Sequence, residues 1–356
     1  MKVLWLTKTF GIGGTERLLL ELLPHMGGVE FIPVAVSAAS TELEPSLRKA
    51  GLEPKTLGAG GPYDTRWLGR IRSIVKSARP DILHLHNPVS SAGARISTLG
   101  LPSPIITTEH NVWESYHPAS RWAAALTLWR DDATIAVSEA VARSIRRSMF
   151  GRGADVVVIH NGIDAGVVAA DAEQEPGVDI PPGSFGTVTH LRHRKGVDVL
   201  IRAAAILERT EPGRKCLIAG EGPLGGRLLE QARPVRSVEF LGIREDARSI
   251  IRALDVFVLP SRYEGLPLVL LEAMALARPI VATTAGGVPE VLDDSCGVLV
   301  PPGDPVALAG AISGLLREPD RAAELGENAR KAVEARGDIR RTARELSGIY
   351  ESVLAR

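Results

Sequence analysis

The sequence is poor in cysteine and in aromatic residues, and neither sign of charge is in excess. Its 356 residues include two cysteines, Cys216 and Cys296, and 4% aromatic residues. Two cysteines so far apart form neither a disulfide framework nor a zinc-binding pattern. Lys and Arg total 42, as do Asp and Glu, so the formal net charge is zero. Because nucleic-acid-binding domains usually carry a basic excess, we expect no nucleic-acid partner.

The sequence also lacks an apolar run long enough to cross a bilayer. A spanning helix needs about 20 apolar residues, whereas the longest candidate, 266–282, is broken by Glu272, Arg278 and two prolines. The first residues offer only four apolar side chains, Val3–Leu6, before Thr7, which is shorter than the apolar core of a signal peptide. We therefore expect a cytoplasmic protein.

Short β-branched runs bounded by Gly and Pro alternate with longer helical patterns in both halves of the chain. The runs predicted as strands in the first half are Val3–Leu6, Ile32–Val36, Ile82–His86, Ile105–Thr108, Thr134–Val137 and Val156–Ile159. Those in the second half are Gly186–Thr189, Cys216–Ala219, Val238–Leu241, Val256–Leu259, Ile280–Ala282 and Val298–Val300. Apolar strands separated by helices predict an α/β fold with parallel sheets covered on both faces.

The chain length favours two domains. The acidic segment 169–183 has no clear period and ends in Pro181-Pro182-Gly183, so we predict that it is the linker. The first domain then covers 1–168 and the second 184–338, and the amphipathic helix 339–356 is expected to cross back onto the first domain. Ligands of such sheets bind beyond the carboxyl ends of the strands, so two facing domains would share one cleft.

The most informative stretch runs from Asp255 to Met274. A buried strand ends at Pro260, and a helix is predicted to begin near Pro267. The backbone of Gly265 and Leu266 would then offer N–H donors to an anion at the positive end of the helix.

Two carboxylates flank the start of this helix. Glu264 precedes it, and Glu272 lies within the apolar run LVLLEAMAL, where an unpaired carboxylate would be costly to bury. Both are candidates for accepting hydrogen bonds from sugar and ribose hydroxyls beside a diphosphate. In the alternative interpretation, Glu264 is a favourable charge at the helix N-terminus and Glu272 is a solvated surface residue.

The segment EGLPLVLLEAMA resembles the signature of glycosyltransferase family 4, whose members are retaining, nucleotide-sugar-dependent enzymes of the GT-B fold. Further motifs follow in the order found in the family, and they are GIGGTERLLLELL, DILHLHN, TTEHN, AVSEAV, HNGID, HLRHRKGVDVLI, LIAGEGP, VEFLG, TTAGGVPEVL and GVLVPPGDP. The resemblance covers nearly the whole chain. It implies two facing doubly wound domains with the nucleotide-sugar site mostly on the second.

Cationic groups for a diphosphate are expected after the first strand of the second domain. Lys195 precedes Gly196 and a helix pattern, and in the family the equivalent Lys and an Arg five residues earlier hold the diphosphate. Here the earlier position is His190. Either Arg192, two residues later, replaces the missing charge, or diphosphate binding is weaker than in the family. A surface lysine is the alternative for Lys195.

The first domain contributes a glycine loop and a histidine. Gly13 and Gly14 follow the first strand, and in the family this loop approaches the donor phosphate. The resemblance also assigns His110 a contact with the donor sugar. His84 and His86 share one face of a strand and are taken as structural or cleft-lining, and we expect no metal site.

Gly220–Gly225 matches G-x-G-x-x-G after a strand, with Glu239 further on, which raises a dinucleotide-binding oxidoreductase as an alternative. Pro223 within the turn argues against it. The position of Glu239, before the carboxyl end of its strand, also argues against dinucleotide binding. In the glycosyltransferase interpretation Gly220 lines the nucleotide pocket and the main chain at Leu241 faces the base.

The segment 64–79 carries five basic residues and one acid, with apolar residues at helical spacing. Such a helix can contact an anionic membrane at the cytoplasmic face, although a solvated helix packed on a sheet is commoner.

The sequence thus predicts a glycosyltransferase that uses a nucleoside diphosphate sugar, a hydroxyl acceptor, and neither cofactor nor metal. Lys195, Glu264 and His110 are its candidate catalytic residues. The second alternative is a nucleotide-sugar-binding scaffold without transfer activity, which the presence of His190 in place of the family's arginine suggests. Base, sugar and acceptor are not specified by the sequence.

Overall fold

The computed structural model of the protein describes residues 1–11, 13–61, 64–148, 151 and 155–356. The chain divides into two compact units. The N unit comprises Met1–Asn161 and Ile339–Arg356, and the C unit comprises Gly162–Asp338.

The N unit is built on a parallel sheet. In the part of the chain that the structure describes, its strands are β1 (Lys2–Thr7), β2 (Glu30–Ala35), β3 (Lys55–Thr56), β4 (Ile82–His86), β5 (Ile105–Glu109), β6 (Ala133–Ala136) and β7 (Val156–Val158). They lie in the order β3-β2-β1-β4-β5-β6-β7. The helices are α1 (Gly14–Leu22), α2 (Glu44–Lys49), α3 (Arg66–Ala78), α4 (Pro88–Ser97), α5 (Pro118–Thr127), α6 (Glu139–Arg147) and, at the end of the chain, α14 (Ile339–Leu354).

Both faces of this sheet are covered, which explains the apolar character of its strands. Successive side chains of a strand point to opposite faces. Val3 and Trp5 of β1 accordingly pack in one core with α1 and α14, whereas Leu4 and Leu6 pack in another with α3.

The C unit repeats this architecture. Its strands, again within the described residues, are β8 (Phe185–Val188), β9 (Cys216–Ala219), β10 (Val238–Gly242), β11 (Val256–Leu259), β12 (Ile280–Thr283) and β13 (Val298–Val300). They are parallel, in the order β10-β9-β8-β11-β12-β13. The helices are α7 (Ala165–Asp171), α8 (Val197–Thr210), α9 (Gly225–Ala232), α10 (Ala247–Ala253), α11 (Leu268–Ala275), α12 (Pro305–Arg317) and α13 (Pro319–Arg336).

The predicted fold class is confirmed, because both units are α/β with parallel sheets. Each predicted strand is present to within a few residues. One strand was missed, β3, whose two residues Lys55 and Thr56 are exposed and carry no apolar signal.

The division between the units differs from the predicted boundary at 168 and linker at 169–183. The chain enters the C unit at Gly162, and α7 packs there against α10 and α11. Asp171 at the end of α7 accepts a hydrogen bond from Arg248 at 2.6 Å, which ties this helix to the C unit.

Helix α14 belongs to the N unit, where its apolar side is buried in the same core as α1. Tyr350 of α14 is fully buried, and its hydroxyl lies 2.6 Å from His84 Nδ1. These contacts are those expected of a helix that returns to the first domain.

The apolar side of α3 is turned into the N unit. Trp67, Ile71 and Val75 are buried and form part of its core. Leu68 and Ile74 are half-buried against the same core. The segment 64–79 therefore contains a helix whose apolar side packs into the N unit. Among the described residues, no helix has the length and apolar character needed to span a bilayer.

Candidate functional site

The strand order of the C unit reverses between β8 and β11. These two strands are neighbours although their residues are far apart in sequence. In parallel α/β sheets a ligand commonly binds beyond the carboxyl ends of the strands at such a point. The loops that follow β8 and β11 carry Lys195 and Glu264, two of the three predicted catalytic residues.

Lys195 and Glu264 form a buried ion pair at this point. Lys195 Nζ lies 2.6 Å from Glu264 Oε1, and the side chains are 11% and 3% exposed. Ser261 Oγ also donates a hydrogen bond to Oε1, at 2.6 Å. Burial lowers the pKa of Lys195, and the neighbouring carboxylate of Glu264 opposes that shift. The pair thus holds an ammonium and a carboxylate in fixed positions.

The two loops approach each other very closely. Gly196 has φ +65°, and a Cβ at this position would overlap the carbonyl oxygen of Pro260. Arg262 locks the loops together, since its backbone N–H donates to the Arg194 carbonyl at 2.7 Å and its guanidinium binds Asp198 at 2.6 and 2.8 Å. Sequence reasoning missed this arginine.

Gly265 and Leu266 lie just before α11, and both are buried. Pro267 is the N-cap residue of that helix, close to the predicted start. The Gly265 carbonyl accepts a hydrogen bond from the Gly287 backbone N–H at 2.9 Å. This segment is therefore held in place from the loop that follows β12.

Glu272 is buried in α11, but it is not unpaired. Its Oε1 accepts hydrogen bonds from Arg248 Nε at 2.9 Å and from Nη2 at 2.8 Å. The burial of Glu272 therefore does not require a ligand, contrary to the sequence-based expectation, because Arg248 supplies the compensating charge. Its ribose role stays a prediction that depends on the family resemblance. No sequence motif pointed to Arg248.

An open pocket of about 500 Å³ lies at the carboxyl ends of β9 and β10. Gly220, Leu191, Leu229, Phe240 and Gly242 are among its lining residues. Leu241 lies between two of them. The lining is largely glycine backbone and apolar side chains, which suits a flat heterocycle.

The same region argues against dinucleotide binding. Glu239 is exposed and occupies the second position of β10, before the strand's carboxyl end. Ribose recognition in dinucleotide-binding folds requires an acid at that end.

Two further residues of the predicted diphosphate site are exposed. Arg192 lies at the surface, just before the single-turn helix His193–Lys195. His190, in the place of the family's arginine, is also exposed. Both belong to the loop that carries Lys195.

The N unit has its own reversal of strand order, between β1 and β4. Gly13 and Gly14 follow β1, and Gly13 is the N-cap residue of α1 with an extended backbone. His86 ends β4, and His110 comes directly after the neighbouring β5. Gly13, Gly14 and His110 thus all follow the carboxyl ends of strands in the N-unit sheet.

His110 is in hydrogen-bond contact with a second histidine. His110 Nε2 lies 2.8 Å from His86 Nδ1, and Trp5 packs on the His86 ring with centroids 4.1 Å apart. Burial lowers the pKa of His110 to about 4, and it also holds the pKa of His86 well below its usual value. Both rings are therefore neutral at pH 7.

Two other titratable side chains of β4 and β5, His84 and Glu109, have different partners. His84 is fully enclosed, with Nε2 at 2.7 Å from Thr108 Oγ1. Burial raises the pKa of Glu109 to about 7, and Tyr116 donates a hydrogen bond to its Oε2 at 3.2 Å. Within the described ranges, no group of three or more His, Cys, Asp or Glu residues is placed to hold a metal ion.

Comparison with known proteins decides the family. Residues 12–167 match the model described as Glycosyltransferase Family 4, and residues 183–318 match Glycosyl transferases group 1. The chain is 31% identical over 321 residues to a glycogen synthase of Mycobacterium tuberculosis, covering 86% of this chain and 73% of that one. The chain belongs to glycosyltransferase family 4.

Other relatives of this glycosyltransferase agree. An N-acetyl-α-D-glucosaminyl L-malate synthase of Bacillus anthracis is 25% identical over 360 residues, covering 97% and 94% of the two chains. The structure of Anabaena HepE with UDP-glucose aligns with a TM-score of 0.83 at 21% identity, covering 99% and 100%. Sucrose-phosphate synthase of Thermosynechococcus elongatus gives the same TM-score at 20% identity, covering 100% and 99%. The fold is therefore GT-B, as the sequence resemblance implied.

Proposed function

We propose that this glycosyltransferase moves a sugar from a nucleoside diphosphate donor to a hydroxyl acceptor, with retention at the anomeric carbon and without a metal ion. The observation that carries the proposal is the buried Lys195–Glu264 pair at the β8/β11 switch point. A departing diphosphate needs fixed positive charge, and a buried ammonium provides it. The relative HepE is solved with UDP-glucose, which supports a nucleotide-sugar donor.

Lys195 is proposed to stabilise the leaving group, with Arg192 and the backbone N–H groups of Gly265 and Leu266 as further donors. The ammonium of Lys195 has three N–H donors, and Glu264 accepts one of them. Glu264 fixes the direction of the others, and it is proposed to accept hydrogen bonds from hydroxyls of the donor sugar.

The nucleotide is proposed to occupy the C unit. Gly220 would line the pocket for the base, and the main chain at Leu241 would face it. Glu272 would accept hydrogen bonds from ribose hydroxyls while Arg248 holds its Oε1. Gly13 and Gly14 would approach the donor phosphate, and His110 would contact the donor sugar, as the family resemblance implies.

No protein nucleophile is assigned in this scheme. The bond between the anomeric carbon and the phosphate oxygen breaks, and the acceptor oxygen bonds to the same face of that carbon. The departing phosphate oxygen takes the acceptor's proton. Neutral His110 would donate or accept a hydrogen bond without adding charge.

An NMR assay of sugar transfer and slow donor hydrolysis tests the proposal. A panel of nucleoside diphosphate sugars is incubated with the enzyme in excess EDTA, and the configuration of the released or transferred sugar is recorded. We expect turnover in EDTA with the donor's anomeric configuration. Loss of turnover that a divalent ion restores, or an inverted product, contradicts the scheme. Donor binding without any turnover favours the binding scaffold instead.

A further inference from the structure

Helix α5 and the single turn after it expose large apolar side chains to solvent. Trp122 is 50% exposed, Leu126 is 53% exposed and Trp129, in the turn Leu128–Arg130, is 72% exposed. Their spacing of four and three residues places them along one side of a helix. Tryptophan has a large apolar ring and one polar N–H, which suits a boundary between apolar and aqueous phases.

The apolar surface extends onto the neighbouring helix. α4 packs against α5 on one side and α3 on the other. On α4, Val89 is 54% exposed and Ile96 is 56% exposed. These two are seven residues apart, so they lie on the same side of the helix. We call α3, α4, α5 and the turn Leu128–Arg130 the helical face.

The helical face carries basic residues as well as apolar ones. The sequences of the helical face contain no Asp or Glu. Arg66 and Arg95 are ion-paired with Asp64 and Asp131. The other basic side chains of the face are Arg70, Arg72, Lys76, Arg121 and Arg130. The Arg130 guanidinium lies 5.9 Å from the centre of the Trp129 ring, so cation and aromatic ring are presented together.

We propose that the helical face docks on the surface of a bilayer that contains anionic phospholipids, a property beyond the proposed function. The aromatic and aliphatic side chains of α4 and α5 would enter the headgroup region, and the cations of α3 would bind lipid phosphates. α3 serves only through its charges, because its apolar side lies in the core.

Charge favours a membrane over a second copy of the chain. A two-fold dimer through this face would bring the same cations together from both subunits, which is unfavourable. An anionic bilayer complements both the basic side chains and the exposed tryptophans. An interface with another copy is therefore an alternative outcome of the test.

Intrinsic fluorescence reports on this face directly. Of the five tryptophans, Trp5, Trp67 and Trp113 are already buried, so a change in emission on binding arises from Trp122 and Trp129. The full chain is titrated with vesicles of phosphatidylcholine alone, and with vesicles of equal parts phosphatidylcholine and phosphatidylglycerol. We expect a blue shift and co-sedimentation with the anionic vesicles only, both reduced by added salt.

Matched variants assign the effect to the face. The double variant Leu126→Gln/Trp129→Gln should weaken vesicle binding about tenfold or more. Val306→Gln, at a position that is 68% exposed in the C unit, should bind like wild type. Lys76→Gln should bind more weakly than Lys331→Gln, which removes an exposed lysine from α13. Nucleotide-sugar affinity should be unchanged in all four.

Three results would overturn the proposal. The first is absence of a blue shift with anionic vesicles, and the second is equal binding of the double variant and Val306→Gln. The third is a blue shift without vesicles that follows protein concentration together with dimer mass in light scattering, which assigns the face to self-association. None of them bears on donor binding, so the proposed function is tested independently.

Discussion

Replacing Lys195 by alanine removes the cation at the β8/β11 switch point. If the ammonium stabilises the departing diphosphate, its loss resembles the loss of one fixed donor to a developing charge, which costs about 10²–10³ in rate. We therefore expect kcat/KM for donor hydrolysis or sugar transfer to fall by ~10² or more. The decrease should lie largely in kcat, because the charge develops in the transition state.

The same substitution leaves Glu264 buried without its cation. Breaking a buried ion pair costs about 3–5 kcal/mol when no compensation remains. Here Ser261 still donates to Glu264 Oε1 at 2.6 Å, and Lys195 was 11% exposed, so water reaches the site. A smaller loss, about 1–3 kcal/mol, is expected, as for one buried polar group that loses a partner.

A double variant separates stability from catalysis. Lys195→Ala/Glu264→Gln removes both charges, so it should unfold at a higher denaturant concentration than Lys195→Ala while being no more active than that variant. Lys331→Ala is the control, since that lysine is exposed on α13. Chemical denaturation and steady-state kinetics are measured on all of these variants. Turnover of Lys195→Ala close to that of wild type would refute the reasoning and leave Lys195 only a structural partner of Glu264.

Three other changes test separate parts of the account. Glu272→Ala should weaken nucleotide-sugar binding in calorimetry, and an unchanged affinity would remove its ribose role. Gly286→Ala should destabilise the protein by about 2 kcal/mol or more, because φ there is +56° and a Cβ would overlap the Glu264 carbonyl oxygen. The control Gly310→Ala, in α12 with open space around the added methyl group, should stabilise by about 0.4–1 kcal/mol. Equal melting temperatures of Gly286→Ala and Gly310→Ala would contradict the predicted overlap at Gly286. Finally, burial lowers the pKa of His110 from 6.5 to about 4, so the folded protein loses stability as the pH falls below about 6.5. His110→Gln should flatten that loss of stability, measured by urea unfolding across pH.

Glu109 has the opposite effect to His110 on how the free energy of unfolding depends on pH. Burial raises its pKa from 4.5 to about 7, so its contribution to stability is lost as pH rises through that interval. His84, with its pKa lowered to about 3, and His86, whose pKa lies well below its usual value, act in the same direction as His110. Burial raises the pKa of Asp131 as it does that of Glu109. Because three histidines oppose two carboxyls, the wild-type N unit should still weaken on acidification. A wild-type protein that gains stability between pH 6.5 and 5 would contradict this balance.

The strands were predictable because their apolar runs are a direct consequence of sheets covered on both faces. β3 was missed since two exposed residues, Lys55 and Thr56, pair only at the edge of the sheet. The boundary near Gly162 was missed because α7 is short, and its attachment depends on Arg248, which is distant in sequence. Tertiary contacts of this kind leave no local pattern.

Side-chain partners were less predictable than motif positions. Lys195 and Glu264 each follow a strand in the sequence, but their contact depends on β8 and β11 being neighbours. The amphipathic pattern of α3 describes packing against a sheet, whereas the exposed apolar side of α5 gave no comparable signal. Periodicity reports that a helix has an apolar side, and only the fold tells what covers that side.

The central claim is that the C unit binds a nucleoside diphosphate through Lys195. Thermal denaturation in EDTA with uridine, guanosine and adenosine diphosphates, and with NAD, tests it most directly, because binding to the native state raises the melting temperature. We expect at least one nucleoside diphosphate to stabilise the wild type. The shift in melting temperature should shrink in Lys195→Ala and persist in Lys331→Ala. Stabilisation by NAD alone, or an equal diphosphate shift in both variants, would contradict it.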